Sequence, residues 1–163
     1  MDLPCFAQTL QHGDDILKTI ASVKGFKIIT RDKVEIHFKY DLESAPVTCD
    51  AFEKILPFTR KFFHARISGE EIWISDVPQL DIIQENASVF IRPGEAVFGP
   101  LKPRRVKTAN CFGIYYGAGR GFDAANIFAR VVKEDLHKLI DLGIKIWNNG
   151  SEEITVSRIS DSQ

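Results

Sequence analysis

The chain has 163 residues, 44% of them hydrophobic and 26% charged, with a formal net charge of -1. That length predicts one domain rather than two, and the near-neutral charge excludes the global basic field of a nucleic-acid binder. No stretch reaches the roughly 18 apolar residues of a membrane span.

Residues 1–25 read as an N-terminal arm and a short helix. The opening MDLPCFAQTLQHGDD has an acid at position 2 and no continuous apolar run, unlike a secretory signal. From Asp14 to Lys24, Ile16, Leu17, Ile20 and Val23 recur at helical spacing, and Gly25 stops the run. FKIIT and VEIHFKY follow as an antiparallel hairpin, with Val34, Ile36, Phe38 and Tyr40 inward and Glu35, His37 and Lys39 outward. In SAPVTCDAFEKILPF, Pro46 takes a first helical position, and Val47, Ala51, Phe52, Ile55 and Leu56 share a stripe ending before Pro57. Cys49 in this helix reads as a small buried hydrophobe; its place near the helix N-terminus is the one feature that favours a nucleophile. Cys5, Cys49 and Cys111 are far apart, an odd and sparse set that predicts reduced thiols in a cytoplasmic protein.

KFFHARISGEEIWIS, residues 61–75, gathers the polar chemistry. Alternation puts Phe63, Ala65 and Ile67 on one side with Ile72 and Ile74, and Phe62, His64, Arg66 and Ser68 on the other with Glu71, Trp73 and Ser75. A Gly69-Glu70 turn sets Arg66 opposite Trp73 and His64 opposite Ser75. A Ser68-Gly69 turn sets Arg66 opposite Glu71 and His64 opposite Trp73. Either way an imidazole, a guanidinium, an indole and a carboxylate share one surface, which is either a solvated face or a wall for a polar or anionic ligand.

LDIIQ, ASVFI, EAVFGPL, CFGIYYG and ANIFARVV come next, short apolar segments parted by turn residues and a glycine cluster. With the earlier strands they make about seven or eight, a count that predicts a closed barrel or sandwich. EDLHKLIDLGIKIW switches to helical spacing, with Leu136, Leu139, Ile140 and Trp147 inward and His137 exposed. EEITVSRI is a last strand, and residues 160–163 are a tail. GAGRGFD lacks the spacing of a dinucleotide loop and runs into β-branched and aromatic residues instead of a helix. KPRRVK, residues 102–107, is a basic loop, either solvated or open to an acidic partner. No H-E-x-x-H, G-x-S-x-G or clustered His/Cys/Asp set is present, so neither metal nor cofactor is expected.

The order APVTCDAFEKILPF, FFHARISGEEIWI, PGEAVFGP, CFGIYYG and ANIFARVV resembles a family of uncharacterised bacterial proteins with the cyclophilin-like fold, over residues 26–159. The resemblance implies a mainly β domain, a closed antiparallel β-barrel capped by helices at Pro46–Leu56 and Asp135–Trp147, with the N-terminal helix as an addition. Cyclophilins proper carry a Phe-His-Arg strand followed by Phe, Met and Gln positions that grip proline. Here Phe63-His64-Ala65-Arg66 has one residue inserted before the arginine, which turns it to the other face unless a bulge intervenes, and Ser68, Gly69, Glu70 and Glu71 hold the later positions.

On positions matching the family's pattern, the resemblance implies a pocket drawn from His64, Arg66, Glu71, Trp73, Asn86, Tyr115 or Tyr116, and Asn126. Singly, Asn86 also reads as a turn residue, Asn126 as a strand-end cap, and one of the two adjacent tyrosines as core. In such a pocket Arg66 would hold an anionic group, Trp73 would stack, and His64 with Glu70 or Glu71 would move a proton. The expectation is a small-molecule-binding protein acting, if it is an enzyme, as a hydrolase or isomerase on a compact carboxylate or cyclic amide. The alternatives are a prolyl isomerase or proline-peptide binder, and a non-catalytic homo-oligomeric module. No nucleic-acid or membrane partner is expected.

Overall fold

Alternating apolar side chains start the sheet: Phe26 and Ile28 of β1 (Gly25–Thr30) and Ile36 and Phe38 of β2 (Glu35–Tyr40) are all fully buried. The two strands are antiparallel, with Phe26 opposite Phe38 and Ile28 opposite Ile36. The computed structural model describes residues 24–159, so all of the expected N-terminal arm and helix except Lys24 and Gly25, with the tail, lies outside the described residues. After α1 (Pro46–Ile55) come β3 (Phe58–His64), β4 (Gly69–Ile74), β5 (Ala87–Ile91), β6 (Glu95–Phe98) and the long β7 (Phe112–Val131). A short 3-10 turn, Lys133–Asp135, leads into α2 (Leu136–Asn149), and β8 (Ser151–Arg158) ends the described chain.

All eight strands of the described residues belong to one antiparallel sheet that closes on itself. The pairing runs β2–β1–β8–β3–β4–β7, and β7 returns to β2, where Tyr40 meets Ala129. β6 lies between the two ends of β7, since Val97 is opposite both Gly113 and Ile127. The segments CFGIYYG and ANIFARVV, expected as separate strands, are one strand of 20 residues. GAGRGFD does not break it, because its backbone stays extended and pairs with β5, Gly119 opposite Ile91 and Arg120 opposite Phe90. LDIIQ forms no strand; Ile83 makes only a single bridge to Lys102.

The enclosed core is aromatic. Phe52 of α1 has its ring centroid 5.0 Å from Phe26, 4.9 Å from Phe112 and 4.8 Å from Phe128, so the helix plugs the ring of strands. On α2 the inward stripe is Leu139, Leu142 and Ile146. Ile140 and Trp147, expected inward, are exposed, because each follows this stripe by one position, about 100° round the helix. Cys49 is buried, and its Sγ lies 3.2 Å from the Phe128 carbonyl. Burial pushes its thiol up to about 12, which removes the nucleophile reading. His37, expected outward, is instead held by Asp135, whose Oδ2 is 2.7 Å from its Nδ1 and accepts its backbone N–H at 2.8 Å. Among the described residues no helix is long and apolar enough to cross a membrane.

Candidate functional site

The central hairpin adopts neither expected register. His64 pairs with Ile72 and Phe63 with Trp73, and the Ala65 N–H donates to the Glu71 carbonyl at 2.8 Å, leaving a loop where a two-residue turn was expected. Shifting a pairing by one residue exchanges the faces of a strand. Phe62 is therefore the core residue at 0% exposed, whereas Phe63 is 48% exposed. Ile67, counted inward by extending the alternation, lies in the loop and is 74% exposed. Adjacent phenylalanines gave no signal to tell the two faces apart.

This register changes how the residues expected to converge are placed. His64 is on the Ile72 side, toward α2, where its ring lies 4.7 Å from that of Trp147. Its Nδ1 is 2.7 Å from the Ala65 carbonyl and must donate to it; Nε2, 2.7 Å from the Tyr116 hydroxyl, is then the acceptor in the neutral ring. Glu70 accepts the Ala118 N–H at 2.6 Å, and a Cβ at Gly117 would stand 2.3 Å from its carboxylate. Asn126 is fully buried and structural. Its Nδ2 donates to the Thr48 hydroxyl at 3.0 Å and the Ile83 carbonyl at 2.8 Å, and its Oδ1 accepts the Glu85 N–H at 3.1 Å. Asn86 takes φ of 46° as a turn residue and donates to the Ile127 carbonyl at 2.8 Å, away from the hairpin. Tyr116 belongs to the inner core, Tyr115 to a smaller cluster outside it with Ile91, Val97 and Ala125.

What does assemble is an outer-face cleft of about 860 Å³. Glu71 of β4 is directly opposite Tyr115 of β7, and Trp73 is opposite both Phe63 of β3 and Gly113 of β7. Gly113 makes the seat possible, since a Cβ there would fall 2.0 Å from Glu71 Oε1. The buried Ser68 hydroxyl donates to Glu71 Oε2. Burial raises the Glu71 carboxyl above its ordinary range, and the hydroxyls of Ser68 and Tyr115 offset this only in part. Burial and the nearby Glu71 charge likewise raise Tyr115 and the Cys111 thiol, so both stay protonated beside it.

The rim carries the cations. Arg66, in the exposed loop, lines the same cleft and makes no ion pair or hydrogen bond among the described residues. Lys107 Nζ lies 4.9 Å from the centroid of Phe122, an exposed ring at the mouth. Of the expected residues, the cleft thus joins Arg66, Glu71, Trp73 and Tyr115, with His64 lining it from the end of β3. Ser68 was expected on this face but given no role, and Cys111 and Gly113 were not anticipated. A glycine two residues before Tyr115, opposite an aromatic residue, was the available sign of a side chain lying across the strand. Among the described residues no three His, Cys, Asp or Glu side chains are placed to hold a metal ion.

Residues 29–158 match the family described as protein of unknown function, DUF3830. No curated protein matches the sequence. Among solved structures the chain is similar to McbB, described in complex with tryptophan, with a TM-score of 0.63 and 18% identity. That match covers 85% of this chain and 46% of McbB, so the chain spans under half the length of that protein. A hypothetical protein from Archaeoglobus fulgidus gives a TM-score of 0.55 at 18% identity, covering 83% of this chain and 95% of that one. A cyclophilin-type peptidyl-prolyl cis-trans isomerase of Cryptosporidium parvum, studied with the dipeptide Ala-Pro, gives 0.50 at 18% identity, over 71% of this chain and 84% of its own. These likenesses establish a cyclophilin-like fold and carry no function by themselves.

Proposed function

The chain belongs to the DUF3830 family of proteins of unknown function, and we propose that it binds a compact cyclic carboxylate or cyclic amide in the outer-face cleft. The observation that carries this reading is the seat of Glu71. Its carboxylate lies over Gly113, held by the Ser68 hydroxyl, in an open cleft walled by an indole. Open clefts with a few convergent polar groups and a titratable side chain moved from its ordinary range are the usual makings of a ligand site. Arg66 takes the anionic group of the ligand, and Trp73 offers its face to the ring.

Glu71 is the group that exchanges a proton: ionised, it accepts a ring N–H; protonated, it donates to a carbonyl. If turnover follows binding, hydrolysis or isomerisation of such a ring fits this chemistry. His64 lines the cleft with its ring held by the Tyr116 hydroxyl, while Glu70 is taken up by the Ala118 N–H. The prolyl isomerase reading is the weaker one, because Arg66 has left the strand and the proline-gripping positions hold Ser68, Gly69, Glu70 and Glu71.

Calorimetric titration tests this with benzoate, pyroglutamate and tryptophan, each beside its carboxamide. At least one carboxylate should bind saturably and its carboxamide about tenfold more weakly, a difference of about 1.4 kcal/mol. Arg66→Ala should weaken the carboxylate by a similar factor. Unchanged affinity in that variant removes the hairpin loop from recognition.

A further inference from the structure

A second concave surface lies on the far side of β5 and shares no lining residue with the cleft. It is a groove of about 490 Å³ over β2, the second half of β7 and β6. Its character is set by one row of side chains across three strands. Lys39 of β2 is directly opposite Arg130 of β7, and Arg130 is directly opposite Glu95 of β6. Directly opposed residues share a face, and opposed like charges destabilise a strand pair. Glu95, buried, compensates one of the two cations through its ion pair with Arg130, and its other oxygen accepts the Arg92 N–H at 2.7 Å. Lys39 and the Arg92 side chain, both exposed, have no carboxylate partner among the described residues. The one other acid lining the groove, Asp41, accepts the Ser44 N–H at 3.0 Å in the turn after β2.

Lys39 and Arg92, neither ion-paired among the described residues, and Arg130, paired with Glu95, therefore surround a hollow that stays net positive with Asp41 counted, where the sequence could have placed one acid opposite Lys39. An anion with several acceptor oxygens seated there relieves the repulsion and gives both free heads a partner. Asn86 also lines the groove, its Nδ2 donating to the Ile127 carbonyl at 2.8 Å. Phe90 stands at its edge, 71% exposed, with the Arg120 guanidinium 5.1 Å from its ring centroid. From this arrangement we infer that the groove bounded by Lys39, Arg92 and Arg130 is a binding site for a phosphoryl dianion, either free phosphate or the head of a phosphate ester. A phosphoryl group presents three acceptor oxygens to the three cationic heads, where a carboxylate presents two.

The test compares thermal unfolding of the wild-type protein and the Lys39→Gln/Arg92→Gln variant at constant ionic strength, with sodium phosphate, phenyl phosphate or acetate replacing chloride. General stabilisation by excluded anions acts on both proteins alike, so their difference isolates the site. Without added anion the variant should unfold at the same or a higher temperature, because the like-charge opposition is gone. Millimolar phosphate should raise the midpoint of the wild type by several degrees more than that of the variant, and acetate should not. A further gain with phenyl phosphate, lost in Phe90→Ala, marks an ester as the natural ligand; equal effects mark free phosphate. Equal phosphate shifts in wild type and variant, or an acetate effect as large as that of phosphate, overturn the inference.

Discussion

Glu71 concentrates the chemistry of this protein in one side chain. Its folded-state pKa is raised by burial, so the native state holds its proton more tightly than the unfolded chain does. The stabilisation this gives is fully present below the unfolded value, an ordinary carboxylate pKa, and is lost as pH rises through the raised folded value. Glu71→Gln keeps the shape and the Ser68 contact but cannot ionise. It should therefore match the wild type in urea unfolding near pH 4 and exceed it near pH 7. Wild type and variant keeping the same stability difference at both pH values would mean that the carboxylate is not desolvated. At this scale the sequence was legible in part: Arg66, Glu71 and Trp73, expected on one surface, line one cleft together with Tyr115, one of two adjacent tyrosines between which the sequence did not decide. His64 lines that cleft as well, but its pairing with Ile72 was not legible, because the choice of face for Phe62 or Phe63 hung on a register that local alternation cannot fix.

Among the elements, β7 does most to place the cleft. One strand supplies Gly113 and Tyr115 to the outer face, and further along Asn126 ties the 83–85 segment to α1. Its two ends were readable as apolar runs, but their continuity was not, since a glycine cluster signals a loop by composition and an extended strand only by its partner β5. The ends of α1 were legible from Pro46 and Pro57. The cap was not: Glu85, distant in sequence, accepts the Thr48 backbone N–H at 2.5 Å and the Thr48 hydroxyl at 2.7 Å. Asn126→Leu should strand these buried polar groups. It should lower stability by about 3 kcal/mol, read from urea midpoints, while leaving carboxylate affinity in the folded protein unchanged. A loss under about 1 kcal/mol, with binding abolished, would return Asn126 to the site.

Taken together, the described residues form a ring of antiparallel strands whose inside is filled by phenylalanines and whose outside bears a hollow on either side of β5. Filling the interior with Phe52 and its neighbours forces any ligand to the outer surface, and the glycines of β7 decide where that surface is concave. Fold class was visible in the strand count and in the resemblance, because both depend on period-two patterning that survives substitution. The hollows were not, since they arise where strands distant in sequence lie side by side. The most direct measurement is a protein-detected NMR titration with the tightest carboxylate of the panel. Shifts should concentrate at the Trp73 indole N–H and the backbone amides of Arg66, Ser68, Glu71 and Tyr115, leaving Lys39 and Arg130 still. Shifts confined to His64, Tyr116 and Trp147, or spread without a centre, would contradict a site built on Glu71.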